Sequence, residues 1–104
     1  MLVAAYRPFS TIQPYTEVGP IFLCARQCER HPDSTALPEM FRNWTNMLVR
    51  GYGSDDRIRY GTGRVIDMNE LEGVAEEIFE DPQVEYIHMR SASNNCYQCR
   101  IERA

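Results

Sequence analysis

The sequence predicts an α+β domain, in which a mainly antiparallel or mixed sheet of about five to six short strands carries one amphipathic helix, about residues 70–80, on one face. Three observations lead there. A single stretch has a clear helical period, several short apolar runs are separated by glycine, proline or polar turns, and most connections are too short for βαβ crossovers. A length of 104 residues, with 43% hydrophobic and 25% charged side chains, suits a single domain spanning 1–104 with one core.

Taken in order, Leu2–Phe9 is the first expected strand. Ser10–Pro20 is punctuated by Pro14, Gly19 and Pro20 and is expected to be a loop, followed by a short buried strand at Ile21–Ala25. The polar stretch from Glu29, with Pro32 and Pro38, is expected to be a surface excursion, and Pro38–Trp44 is expected to open a short helix. Thr45–Tyr52 and Arg57–Asp67 are two further strands joined by the polar turn Gly53–Asp56. Gly51, Gly53, Gly61 and Gly63 lack the spacing of a phosphate-binding loop and fit bends or bulges better.

The helix is the strongest element. Leu71, Val74, Ala75, Ile78 and Phe79 form one apolar stripe, with Glu70, Glu72, Glu76, Glu77 and Glu80 on the remaining surface as a solvated face. Asn69 is expected to cap it, with Glu72 completing a capping box, and Asp81-Pro82 ends it. Val84–Ser91 and Cys96–Arg103 then form a hairpin around Ala92–Asn95.

That closing hairpin concentrates the functional candidates. On an ideal strand Tyr86, His88 and Arg90 share one face, expected to be polar and partly open, while Ile87 and Met89 turn toward the helix. In the second strand Cys96, Gln98, Arg100 and Glu102 share a face, and Tyr97, Cys99 and Ile101 take the other. The two thiols of Cys96-x-x-Cys99 therefore point apart. Cys24 and Cys28, if both lie on a strand, sit ~13 Å apart at ~3.3 Å per residue. Cys24, Cys28, Cys96 and Cys99 are thus weak candidates for a zinc site, which needs convergent thiolates, and packing as small hydrophobes is the simpler fate. No cofactor is expected. Cys96 and His88 are the candidates for a catalytic thiol–imidazole pair, if the hairpin register joins them. His31, between Arg30 and Pro32, is a surface residue by its context.

All eleven basic residues are arginine, against fifteen acidic ones, for a net charge of −4. Guanidinium groups grip carboxylates and phosphates bidentately. An acidic chain lacks the concentrated positive surface that nucleic acid requires, so no nucleic-acid partner is expected. No apolar run approaches the ~20 residues of a membrane span. Met1–Ala5 has no basic leader, so the expectation is a soluble cytoplasmic protein with reduced cysteines and no membrane partner.

Pro14-Tyr15, Gly19-Pro20-Ile21-Phe22, Arg50-Gly51-Tyr52 and Cys96-Tyr97-Gln98-Cys99-Arg100-Ile101-Glu102-Arg103 resemble a bacterial family of unknown function, domain of unknown function 1203. The resemblance runs over most of the chain and implies no chemistry. Members carry a further segment before the first strand, and His-Asn-Ala and Gly-Cys where this chain has Arg90-Ser91-Ala92 and Asn95-Cys96. The first departure leads to the expectation of an uncovered sheet edge and a homodimer formed through it.

Three functions compete on this evidence. The first is a non-catalytic module that binds an anionic small molecule or a protein partner through an arginine-bearing sheet face, with Tyr15, Arg50, Tyr86, Arg90 and Arg100 as its binding residues. The second is a thiol-dependent enzyme or redox protein that uses Cys96 with His88. The third is a zinc-stabilised structural protein.

Overall fold

Among the described residues these runs give six strands and one α-helix, and the strands divide into two sheets. The computed structural model describes residues 2–23, 25–27, 41 and 43–103. β1 (Leu2–Tyr6) and β2 (Gly19–Leu23) pair antiparallel as a two-stranded ribbon, Leu2 opposite Leu23 and Tyr6 opposite Gly19. β3 (Asn46–Tyr52), β4 (Arg64–Asp67), β5 (Tyr86–Arg90) and β6 (Tyr97–Glu102) form a four-stranded antiparallel sheet in the order β4-β3-β5-β6. The class is α+β, as expected. Cys24, Cys28 and His31, and nearly all of the expected helix at Pro38–Trp44, lie outside the described residues.

One face of the large sheet meets α1 (Leu71–Phe79). Leu71 and Ile78 of the helix are buried with Met47, Val49, Ile66, Val84, Ile87 and Met89, while Val74, Ala75 and Phe79 pack at the margin. The stripe read from the periodicity is therefore the buried side of the helix. Cys99 and Ile101 pack against the same cluster, so Cys99 is a core-facing thiol.

The helix begins differently from expectation. Asn69 does not cap it and no capping box forms. A 3₁₀ turn over Met68–Glu70 runs directly into α1, and the Leu71 N–H bonds the Met68 carbonyl. The backbone itself satisfies a donor that a side-chain cap would otherwise take. At the other end the Arg103 guanidinium donates to the carbonyls of Phe79, Asp81 and Val84, each at 2.8 Å, and lies 4.8 Å from the Phe79 ring centre. A cation there complements the negative end of the helix.

The expected strand at Arg57–Asp67 survives only from Arg64. Gly53 donates to the Arg57 carbonyl and accepts from Asp56, which closes a tight turn, and Asp56 adopts φ 62°. Gly61 is also left-handed, at φ 89°. The Thr62 hydroxyl accepts from the Gly51 N–H at 3.0 Å, so a side chain stands in for strand pairing and the segment loops away from the ladder.

Replacing Ile87, fully buried between strands and helix, by alanine should cost about 2–5 kcal/mol. The same truncation at exposed Ile12 should stay within ~0.5 kcal/mol. Urea denaturation of the two variants measures both.

Candidate functional site

The other face of the large sheet carries the chemistry. Register places Arg50 of β3, His88 of β5 and Arg100 of β6 in one row across three strands. Tyr52 and Tyr86 are opposite one another in the next row on that face, and Arg90 follows His88 in the opposite direction.

Strict alternation fails at one point in β6. Met89 pairs with Cys99 but Arg90 pairs with Tyr97, so Gln98 is an extra residue forming a bulge. The bulge reverses the facing of everything before it. Tyr97, expected on the core side with Cys99 and Ile101, instead lies with its ring 4.8 Å from His88. Cys96, expected on the His88 side, sits opposite Ser91: its N–H donates to the Ser91 hydroxyl at 3.0 Å, and its carbonyl accepts from the Ser91 N–H. The thiol contacts the Asn94 carbonyl at 3.9 Å. No hydrogen bond joins Cys96 to His88, whose Nδ1 is taken by Arg90 and whose Nε2 has no partner among the described residues. The expected thiol–imidazole pair is not assembled.

Nor is the Tyr86–His88–Arg90 face open. His88 is 0% and Arg90 1% exposed, and Tyr86 is buried as well. The cover comes from the segment between β1 and β2, which alternation within the hairpin could not reveal. Phe9 lies 5.2 Å from the His88 ring and 5.8 Å from the Arg90 guanidinium. Tyr52, Tyr86 and Tyr97 complete an aromatic enclosure around the imidazole, with Tyr52 and Tyr86 stacked at 5.3 Å.

Two carboxylates fasten this cover. Glu17 binds the Arg90 guanidinium at 2.7 Å. Asp56 accepts from the Ser10 hydroxyl at 3.0 Å and from the Thr11 hydroxyl and N–H at 2.8 and 3.2 Å, while its second oxygen accepts from the Tyr86 hydroxyl at 2.8 Å. Asp56 occupies a left-handed turn position where glycine is the common choice; aspartate tolerates that conformation and adds the carboxylate. Burial pushes its carboxyl up, but the bonds from Tyr86, Thr11 and Ser10 outweigh this and hold it below the usual aspartate range. The sequence reading missed Phe9, Glu17, Tyr52 and Asp56. An aspartate in place of glycine at a tight turn was the one available signal.

Arg90 also donates through Nη2 to His88 Nδ1 at 2.9 Å and through Nη1 to the Asn95 carbonyl at 3.1 Å. Because arginine only donates, His88 accepts at Nδ1 and carries its proton on Nε2. Burial, then the positive charges of Arg90 and Arg100, push the imidazole down to about 3, so it is neutral at physiological pH. Arg100 lies over the Tyr86 ring at 3.9 Å and pairs with Glu102 at 3.0 Å, yet remains 42% exposed. Arg50 is half-buried and has no ion-pair partner among the described residues. Tyr15 contacts Tyr60 through its hydroxyl.

Of the expected binding residues, Arg50, Tyr86, Arg90 and Arg100 thus share one face, with Tyr86 and Arg90 beneath its cover. Among the described residues no three histidine, cysteine, aspartate or glutamate side chains group closely enough to hold a metal ion. Cys96 and Cys99 are free thiols, and burial raises the Cys99 thiol. A shallow groove of about 490 Å³ opens elsewhere, between Trp44–Asn46, Val65 and Ser91–Ser93. It shares none of the His88 cluster and has no charged lining.

Neutral burial of His88 sets an acid limit on stability. The unfolded imidazole takes up its proton near pH ~6.5, well before the folded one. Stability is therefore complete above about pH 6.5 and falls with acidification, by up to about 1.4 kcal/mol per pH unit, until the folded imidazole titrates. Asp56 adds a second loss in the same direction below pH ~4, as its depressed carboxyl protonates. Urea midpoints between pH 4 and 7 should fall steeply for the native chain and flatten for His88→Gln.

No helix among the described residues is long and apolar enough to cross a membrane. No curated protein and no solved structure matches the chain. A family model described as "Protein of unknown function (DUF1203)" matches residues 1–103. The resemblance carried by the Gly19-Pro20 block and the closing Cys-Tyr-Gln-Cys-Arg strand therefore extends along essentially the whole length, and the chain belongs to that family of unknown function.

Proposed function

We propose that the protein is a small non-catalytic binding module that recognises an anionic ligand on the arginine-bearing face of its four-stranded sheet. The observation that carries this reading is the row Arg50–His88–Arg100. Two partly exposed arginines flank a neutral imidazole, with their backbones roughly 10 Å apart across two strand spacings. Planar guanidiniums on alternate strands of one face suit a ligand bearing two carboxylates or phosphates. The Arg100–Glu102 pair is largely exposed and of low worth, so a ligand displaces it cheaply.

A catalytic reading has less support. The imidazole is enclosed and already accepts from Arg90, and Cys96 is turned away from it. For the zinc reading, the Cys96–Cys99 half has no convergent geometry; stoichiometric zinc in purified protein would revive that reading. A cytoplasmic location accords with free Cys96 and Cys99.

Thermal shift against phosphate, citrate and a series of dicarboxylates tests the main reading. At least one should raise Tm by several degrees, and Arg50→Gln or Arg100→Gln should weaken that ligand about tenfold or more, on the scale of a lost charge-assisted hydrogen bond. No stabilisation by any of these anions would dismiss it.

Self-association is the second proposal, and the ribbon supports it. Leu2, Val3 and Val18 are 53%, 65% and 64% exposed, and among the described residues β1 pairs only with β2. A two-stranded ribbon alone is marginal, and an unpaired edge invites another strand. Light scattering should give a dimer mass at micromolar concentration, and Val3→Lys should return it to monomer. A monomer at high concentration would refute the dimer.

A further inference from the structure

We infer that β1 pairs antiparallel with β1 of a second copy of this chain, about a two-fold axis at Ala4, and that this pairing holds the cover over His88 and Arg90 in place. The inference rests on the reading of the protein as self-associating. It adds the register of the interface and what assembly does to the polar face of the large sheet.

Among the described residues β1, β2, β4 and β6 each present a free edge, and three of them discourage a partner. β4 is short and carries Arg64 and Asp67, β6 carries Arg100 and Glu102, and β2 contains Pro20, which has no N–H to donate. A strand added to β4 or β6 would have to draw those charges out of water. β1 reads Leu2-Val-Ala-Ala-Tyr6, with no charge and no proline. Its Leu2 and Val3 lie on opposite faces and are both exposed, so neither face is covered at that end. An uncharged edge is matched by an uncharged strand, and a second β1 brings no like charge opposite another. The strand also matches itself in size. With Ala4 on the axis, Ala4 faces its own copy, Val3 faces Ala5, and Leu2 faces Tyr6 on either side, so small residues meet at the centre and large ones outside. Apolar cross-strand pairs of this kind are what stabilises a sheet.

The cover is the connection between the two strands of this ribbon. Phe9 lies just after β1, which ends at Tyr6, and Glu17 just before β2, which begins at Gly19. Between them the segment packs Phe9 on His88, bonds Ser10 and Thr11 to Asp56, and completes the internal Glu17–Arg90 ion pair. Tyr6 of β1 meets Tyr97, a wall of the same enclosure. A two-stranded ribbon is marginal by itself, whereas three or more strands support one another. Two ribbons joined through β1 make a four-stranded sheet in the order β2-β1-β1-β2, and each connection is then held firmly at both ends. Assembly and closure of the cover are therefore linked, because what stabilises the ribbon stabilises the segment strung between its strands.

Full-length protein tests the register and the linkage separately. Directly opposed residues lie about 4.5–5.5 Å apart at Cα, within disulfide reach. Ala4→Cys treated with oxidised glutathione should therefore form a covalent dimer that the native chain does not form under the same conditions. Ala5→Cys, about 7–8 Å from its copy in this register, should cross-link at least tenfold more slowly. Hydrogen exchange reads the linkage. Dissociating the dimer, by dilution of the native chain or by Val3→Lys, should speed exchange at the Thr11 and Thr16 amides, which bond Asp56 and Gln13, about tenfold or more and leave β3 unchanged. Should Val3→Lys not fold, the dilution series decides alone. A native chain that stays monomeric at high concentration overturns the inference together with self-association, and leaves the β1 edge to an extended apolar segment of another protein. A dimer whose Ala4→Cys variant does not cross-link keeps self-association and overturns the β1 interface. Equal exchange at Thr11 and Thr16 in monomer and dimer overturns the linkage to the cover.

Discussion

A guanidinium withdrawn almost completely from water must be answered by a carboxylate, and in this protein the answer comes from a segment that belongs to neither layer of the fold. Removing one member of a buried ion pair typically costs about 3–5 kcal/mol, because the other charge is left uncompensated. Arg90 on β5 therefore obliges the chain between β1 and β2 to return across the sheet and deliver Glu17. That return brings Phe9 over His88, and with it the aromatic enclosure that keeps the imidazole neutral. The second face of the sheet is closed by electrostatic need as much as by apolar burial.

Asp56 is the other fastening, and it links local conformation to the distant contact. Its left-handed backbone ends the tight turn after β3, and its carboxylate bonds Ser10 and Thr11, about 45 residues away in sequence, together with Tyr86. Bonds to a charged acceptor are worth roughly 1.5–3 kcal/mol each. β1, whose Leu2 and Val3 are exposed, gains its position from these polar ties and from the Tyr6–Tyr97 contact.

Polar fastening differs in kind from apolar packing. A core such as that around Ile87 and Met89 has no affinity for a charged solute, whereas an ion pair can exchange one anion for another. The helix-facing side of the sheet buries apolar side chains, and the opposite side holds buried charges and hydroxyls that are answered within the chain. The Arg50–His88–Arg100 row lies on that polar side, next to Arg90.

The sequence by itself determined the class, the helix with its buried stripe, most strand positions and the family, because each depends on local periodicity, turn residues or motif. It also placed Cys99 in the core and put Tyr86, His88 and Arg90 on one face, since alternation is a property of a single strand. Three things were decided only by the tertiary structure. The bulge at Gln98 moved Tyr97 next to His88 and took Cys96 away, and one inserted residue reverses facing without any marked signal in composition. The 3₁₀ entry replaced the Asn69 cap. Above all, the enclosure of His88 and Arg90 came from Phe9 and Glu17, some 70 to 80 residues earlier in the chain. Whether a polar strand face meets water depends on which distant segment covers it, and a charge such as Arg90 reveals its partner only when the chain has folded back to supply one.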